Sequence, residues 1–261
     1  MTQTIITTAS DQIAEIVISN SAHRNAITMS MWQQLGEAAV SISNRDDIRV
    51  VIIRGEGTVA FSAGADISDF AAVRSSRSQS SAYDDLVESS CRLVEAIKQP
   101  TIAAVQGACI GAGASLAGSC DFIIASESAF FAVPAAKLGL GYDPRGIERF
   151  VKVFGLRATR RLLYTAEKIP ATLAAAMGVV DVIEGGDSLL KAAQCLAQRI
   201  SANAPLTVQA AKFALFEQTM RRDDTIHVQA ARVASEADDS VDYKEGRLAF
   251  AQKRLPRFLG R

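Results

Sequence analysis

Two short glycine-bearing segments, each placed after an apolar run, constrain this chain more than any other feature. Phe61-Ser62-Ala63-Gly64-Ala65-Asp66-Ile67 follows the run from Ile48 to Ile53. Gly107-Ala108-Cys109-Ile110-Gly111-Ala112-Gly113-Ala114-Ser115 follows the run from Thr101 to Val105. Continuous apolar runs of this length read as buried strands, and each glycine segment leads into residues able to open a helix. Small side chains at such turns let a ligand approach the main chain, where free N–H groups can grip an oxygen that gains negative charge. Two such donors from separate turns, aimed at one point, would form an oxyanion hole.

Other uses of these glycines fit less well. Gly111-Ala112-Gly113-Ala114-Ser115-Leu116 begins like a dinucleotide fingerprint but has leucine where the third glycine belongs, and no acidic residue closes a following strand. Neither cluster is followed by the Lys-Ser or Lys-Thr of a P-loop. Gly113-Ala114-Ser115-Leu116-Ala117 approaches the nucleophile elbow of serine hydrolases with alanine in the last place. That alternative stays open, and His227 would have to be its base. His23 and His227 are the only histidines, and Cys91, Cys109, Cys120 and Cys195 are scattered, so reduced core thiols are expected and no metal site.

The rest of the chain has the bounds of a globular enzyme. Its 261 residues can bury a full core, and 28 basic residues balance 28 acidic ones. No basic stripe with interleaved aromatics points to nucleic acid. No apolar stretch is long enough to cross a bilayer and no signal peptide opens the chain, so a cytoplasmic location off the membrane is expected. Short strands alternate with helices up to Ile183: a hairpin at Ile5–Thr8 and Ile13–Ile18, a helix over Met29–Ser43, and strands at Cys120–Ala125 and Val179–Ile183. This predicts a layered α/β fold. Ser-, Arg- and Gln-rich Ala71 to Ser81 reads as a surface loop ahead of a long helix through Tyr83, Val87 and Val94 that stops before Pro100. From Ser188 onward only amphipathic helices follow: Leu189–Ile200, Pro205–Met220, Asp224–Ala237 and Asp242–Arg254. The division expected is a core over residues 1–200 and a helical oligomerisation region over 201–261.

Taken in order, these segments resemble the enoyl-CoA hydratase/isomerase (crotonase) family nearly end to end. The resemblance includes His23-Arg24-Asn25-Ala26-Ile27, both glycine segments, Pro100 through Gly107, Cys120-Asp121, Ala171 through Val182, and Phe250 through Phe258. It implies a spiral of repeated ββα units with a helical C-terminal extension, and assembly as a homotrimer or hexamer. It implies an acyl-CoA thioester as substrate, with coenzyme A as part of that substrate and no separate cofactor. By position, the N–H groups of Ala65 and Ala112 would be the oxyanion donors. Arg24, Ala26, Ala63, Asp66 and Ile67 would lie along the CoA moiety, and Phe250 and Lys253 would touch its end, with an adjacent subunit as one source of that contact. Arg24 and Lys253 read equally well as solvated charges.

The sequence also departs from the family. Hydratases of the family carry two glutamates, where this chain has Ser115 and Ala135. Neither residue can activate water or protonate a carbon at neutral pH. Asp143 falls where dienoyl-CoA isomerases and some enoyl-CoA isomerases place a catalytic acid, so isomerase-like proton transfer is favoured over hydration. Asp143 ahead of Pro144 is also the pattern of a helix cap. Arg145, Glu148, Arg149 and Lys152 read as helix-surface charge, with Glu148 as a reserve acid. Hydration by an unusual acid–base pair, serine hydrolysis through Ser115, and CoA binding with little catalysis remain the alternatives.

Overall fold

The computed structural model describes residues 3–66, 76–219 and 239–256. The chain opens with an antiparallel hairpin, β1 (Thr4–Ser10) and β2 (Ile13–Ser19). Helix α1 (Met29–Ser43) follows, capped by Thr28, whose hydroxyl accepts the Met31 N–H. After it the chain repeats one pattern, with a strand in each of two sheets and then a helix. The first turn is β3 (Val50–Gly55), β4 (Ala60–Ser62) and α2 (Arg77–Glu95). The second is β5 (Thr101–Val105), β6 (Ala108–Ile110) and α3 (Ala112–Ala117). The third is β7 (Phe122–Ser126) and β8 (Phe130–Ala132), followed by α4 (Ala135–Leu138) and α5 (Pro144–Arg160), the last broken at Gly155. Then come β9 (Ile169–Pro170), α6 (Ala171–Ala176) and β10 (Val182–Glu184).

The larger sheet runs β1-β2-β3-β5-β7-β10 and the smaller β4-β6-β8-β9. Successive turns pair in parallel in both sheets, which is the spiral expected from the ββα pattern. Alternation along the strands serves two cores at once. Val51, Ile53, Ala103, Val105, Ile123 and Ala125 face the main core with Trp32 and Phe131. Val50, Ile52, Ile102, Ala104 and Ile124 face Leu189, Ala193 and Ala197 of α7 (Leu189–Ser201).

Two readings of the sequence need correction. Ser76 to Ser81 is not a loop: the Ser76 hydroxyl accepts the Gln79 N–H and starts α2 at Arg77. A serine-rich stretch hides a helix start because serine favours caps and turns alike. Residues 71–75 lie outside the described residues, as does the helix expected at Asp224–Ala237 with His227. The strands of the smaller sheet have three residues or fewer each: β4 and β6 were absorbed into the two glycine segments, and β8 and β9 were not expected from the sequence.

The helices α8 (Pro205–Thr219) and α9 (Val241–Ala251) complete the described chain, and α9 packs on α4, with Gly246 close to Leu138. No described helix is long and apolar enough to cross a membrane. Leu206, Phe213 and Leu215 on α8 are well exposed in the single chain. Its tie to the core is polar: the Lys212 ammonium reaches Asp121 at 2.7 Å and the Gln99 carbonyl at 3.0 Å. Lys212→Met should therefore destabilise α8 by about 1–2 kcal/mol. Amide exchange would speed up in residues 205–219 while β5 and β7 stay protected, and equal exchange in both variants would refute the tie.

Candidate active site

The first glycine turn is held by its neighbour in space, the segment Arg24–Ile27. Ser62 on β4 donates its hydroxyl to the Asn25 carbonyl at 2.7 Å and accepts the Gly64 N–H at 3.1 Å. Asn25, in a left-handed conformation (φ 56°), donates its side-chain amide to the carbonyls of Glu56 and Ala60. The Arg24 carbonyl accepts the Ala63 N–H, Gly64 accepts from Ile27, and the Ile27 carbonyl accepts the Asp66 N–H. These bonds use the amides on both sides of Ala65. Among the described residues none accepts the Ala65 N–H.

The second turn leaves β6 through Gly111, whose N–H goes to the Ala132 carbonyl at 2.8 Å. Ala112 is the first residue of α3, where N–H groups have no intrahelical acceptor. The two turns touch. A Cβ on Gly64 would lie 2.6 Å from the Ile110 carbonyl oxygen and 3.5 Å from the Ala112 nitrogen. A Cβ on Gly113 would lie 2.8 Å from that of Ser62. Only glycine permits both approaches, and Gly64 also has φ +92°. The unpartnered amides of Ala65 and Ala112 thus stand on one wall of a common cleft.

That cleft holds about 840 Å³, part of it open to solvent, and is lined mainly by apolar groups including Val87, Pro134, Leu138 and Leu140. Ser115 and Ala135 both line it, so the two positions without a glutamate do face the ligand space. Among the described residues three carboxylates border it: Asp84, Glu88 and Asp143. Asp143 caps α5, accepting the Arg145 N–H at 2.8 Å, and its carboxylate pairs with the Arg145 guanidinium, 2.5 Å from Nη2. Hydrogen bonding to Asp143 is the main cause of the raised Arg145 pKa. Cap and cleft-wall carboxylate are one and the same residue. Tyr142 packs its ring 5.6 Å from that of Phe150, and burial pushes its phenol above the ordinary tyrosine range.

Arg149 is not surface charge. It is 4% exposed, and its guanidinium makes two bonds to Glu88, at 3.0 and 2.9 Å, one to Glu95, and one to the Ser115 hydroxyl at 3.0 Å. Burial works against its charge, but its surroundings, Glu95 and Glu88 among them, raise its pKa above the arginine value. The sequence did carry a signal for this. Gly146, Arg149, Phe150 and Phe154 recur at helical spacing and form the buried face of α5. Charge alone argued for the surface and misled. Glu88 was missed for the same reason.

The remaining expected residues are placed as follows. Arg24 is exposed, Ala26 and Asp66 are buried, and all three lie on the paired segments beside Ala63, which lines the cleft. Ile67 lies outside the described residues. Phe250 is 56% exposed, Lys253 is exposed, and neither lines the cleft within the single chain. Ser115 faces a cationic donor rather than a base, and His23 is at the surface beside Asp66, so the described residues supply no hydrolase triad. No described group of histidine, cysteine or carboxylate side chains is arranged to hold a metal.

The sequence matches the model of the enoyl-CoA hydratase/isomerase family over residues 8–261. It is 30% identical to a crotonyl-CoA hydratase of Syntrophomonas wolfei over 99% of both chains. It is also 30% identical to a mitochondrial Delta(3,5)-Delta(2,4)-dienoyl-CoA isomerase of Mus musculus, over 91% of this chain and 72% of the relative. Among solved structures it resembles a methylmalonyl-CoA decarboxylase complexed with 2S-carboxypropyl-CoA, with a TM-score of 0.89, 27% identity and all of both chains covered.

The contact between the turns can be tested on stability. Gly64→Ala adds a backbone clash to an unfavourable φ and should cost about 1–3 kcal/mol more than Gly57→Ala, which has positive φ but open space. Equal losses in thermal unfolding midpoint would show that the two turns do not press on each other.

Proposed function

Because the chain belongs to the enoyl-CoA hydratase/isomerase family, we propose that it processes an acyl-CoA thioester by stabilising its enolate between the Ala65 and Ala112 amides. The observation that carries this reading is the pair of unpartnered N–H groups on touching turns at the wall of an apolar cleft. Each donor in such a site contributes about 3–4 kcal/mol to a developing oxyanion. The α-carbon becomes acidic as a result. CoA would run along Arg24, Ala26, Ala63, Asp66 and Ile67. Phe250 and Lys253 would reach it from a neighbouring copy in a trimer or hexamer.

The step that follows depends on the proton carrier. With serine and alanine at positions 115 and 135, the reading best supported is isomerisation through Asp143. Its carboxylate would take a proton from C2 of a 3-enoyl thioester. The electron pair passes into the dienolate, the proton returns at C4, and the double bond moves from C3–C4 to C2–C3. Arg145 keeps the carboxylate oriented at the cleft.

A second reading has its own support in the full-length likeness to a decarboxylase structure. A 2-carboxyacyl thioester needs no base to reach the enolate. Its C–C bond breaks, carbon dioxide leaves, and the electron pair passes to the same oxygen. The enolate then takes a proton at C2 from water, so the bond-breaking step does not require the missing glutamates.

Asp143→Asn separates the two, since asparagine still caps a helix but cannot carry the proton. Isomerisation of a 3-enoyl- or dienoyl-CoA should fall by about 10²–10⁴-fold, with little change in stability. Decarboxylation of methylmalonyl-CoA that persists in this variant, with no isomerase activity in the wild type, would replace the first reading by the second.

A further inference from the structure

We propose that Ser115 is a ligand-binding donor whose hydroxyl hydrogen Arg149 directs into the cleft, selecting acyl groups that carry an acceptor oxygen close to the thioester. The inference rests on the acyl-CoA reading and adds the class of acyl group.

The argument is one of donor and acceptor inventory. A guanidinium can only donate, so at 3.0 Å from Arg149 Nη1 the Ser115 oxygen must accept. The hydroxyl hydrogen is then free, and no described residue accepts it. A buried serine in a helix often donates to the carbonyl four residues back, but the Gly111 carbonyl takes the Ser115 N–H and not the hydroxyl. Ser115 is 2% exposed, so solvent is not its normal partner. It nevertheless lines the cleft, where a ligand would meet it.

Arg149 cannot readily turn away. Three of its other N–H groups are held by Glu88 and Glu95, and Glu88 is held in turn by Arg92 at 3.0 Å. The two arginines balance the two glutamates, so the network puts no net charge behind Ser115. The network itself therefore does not repel a carboxylate, while Asp84 and Asp143 at the cleft border favour a neutral carbonyl or hydroxyl. Ser115 lies three residues along α3 from Ala112, an axial rise of about 4.5 Å. With the thioester oxygen on the Ala112 amide, its hydroxyl comes near the second and third acyl carbons. Arg149 is a positioning residue in this arrangement, and Glu88 is its anchor.

The test compares butyryl-CoA, 3-hydroxybutyryl-CoA and methylmalonyl-CoA, measured as Kd, or as KM and kcat where a ligand turns over. Wild type should favour at least one oxygen-bearing ligand over butyryl-CoA by about tenfold or more, the worth of one such hydrogen bond. The preferred arm identifies the acceptor as hydroxyl or carboxylate. Ser115→Ala should bring that ratio close to one, and Ser115→Thr should restore it. Arg149→Lys, which keeps the charge but loses the fork, should reduce the ratio even in the fraction that remains folded. Butyryl-CoA binding with no preference in wild type, or a preference that survives Ser115→Ala, overturns this proposal alone. Failure of wild type to bind any of the three thioesters overturns the acyl-CoA reading as well.

Discussion

The close approach of two glycine turns is the constraint on which the site depends. Gly64 lies against the Ile110 carbonyl, and Gly113 lies against Ser62. A side chain at either position would force apart segments that belong to different turns of the spiral. The bonds radiating from Ser62 and Asn25 keep the first turn pressed into place. Their further effect is to use up the neighbouring amides while leaving those of Ala65 and Ala112 free.

Around that wall the protein places charge in an unusual manner. Arg149 and Glu88 are both nearly inaccessible, and they are bonded to each other at two points. A buried ion pair of this kind adds little net stability, but removal of one member leaves an uncompensated charge and costs several kcal/mol. Its value here is geometric, since it gives the floor of the cleft one orientation. Asp143 shows the same economy, because a single carboxylate starts a helix and borders the ligand space.

Much of this was legible along the chain. Strands at Thr101–Val105 and the initial hairpin, and the helices at Met29–Ser43 and Leu189–Ser201, follow from apolar periodicity and caps. Ala65, Ala112, Ala135 and Asp143 were singled out from motif order, and all four line one cleft. Arg149 and Glu88 were not found. The spacing of Gly146, Phe150 and Phe154 marks the buried face on which Arg149 lies, but no local pattern records that its partner Glu88 is 61 positions away. The start of α2 was misread because serine signals loops and caps with the same composition.

By itself, the amino-acid sequence determined the family, the α/β layering, the glycine turns and the absence of the two usual glutamates. These depend on residue type and short spacing, which a linear string preserves. Only the tertiary structure decided which amides stay unpartnered, that Asp143 is both cap and cleft wall, and that Arg149 turns inward to Ser115. Such facts depend on which groups from distant segments satisfy one another, and hydrogen-bond partnership becomes definite only when those segments have packed.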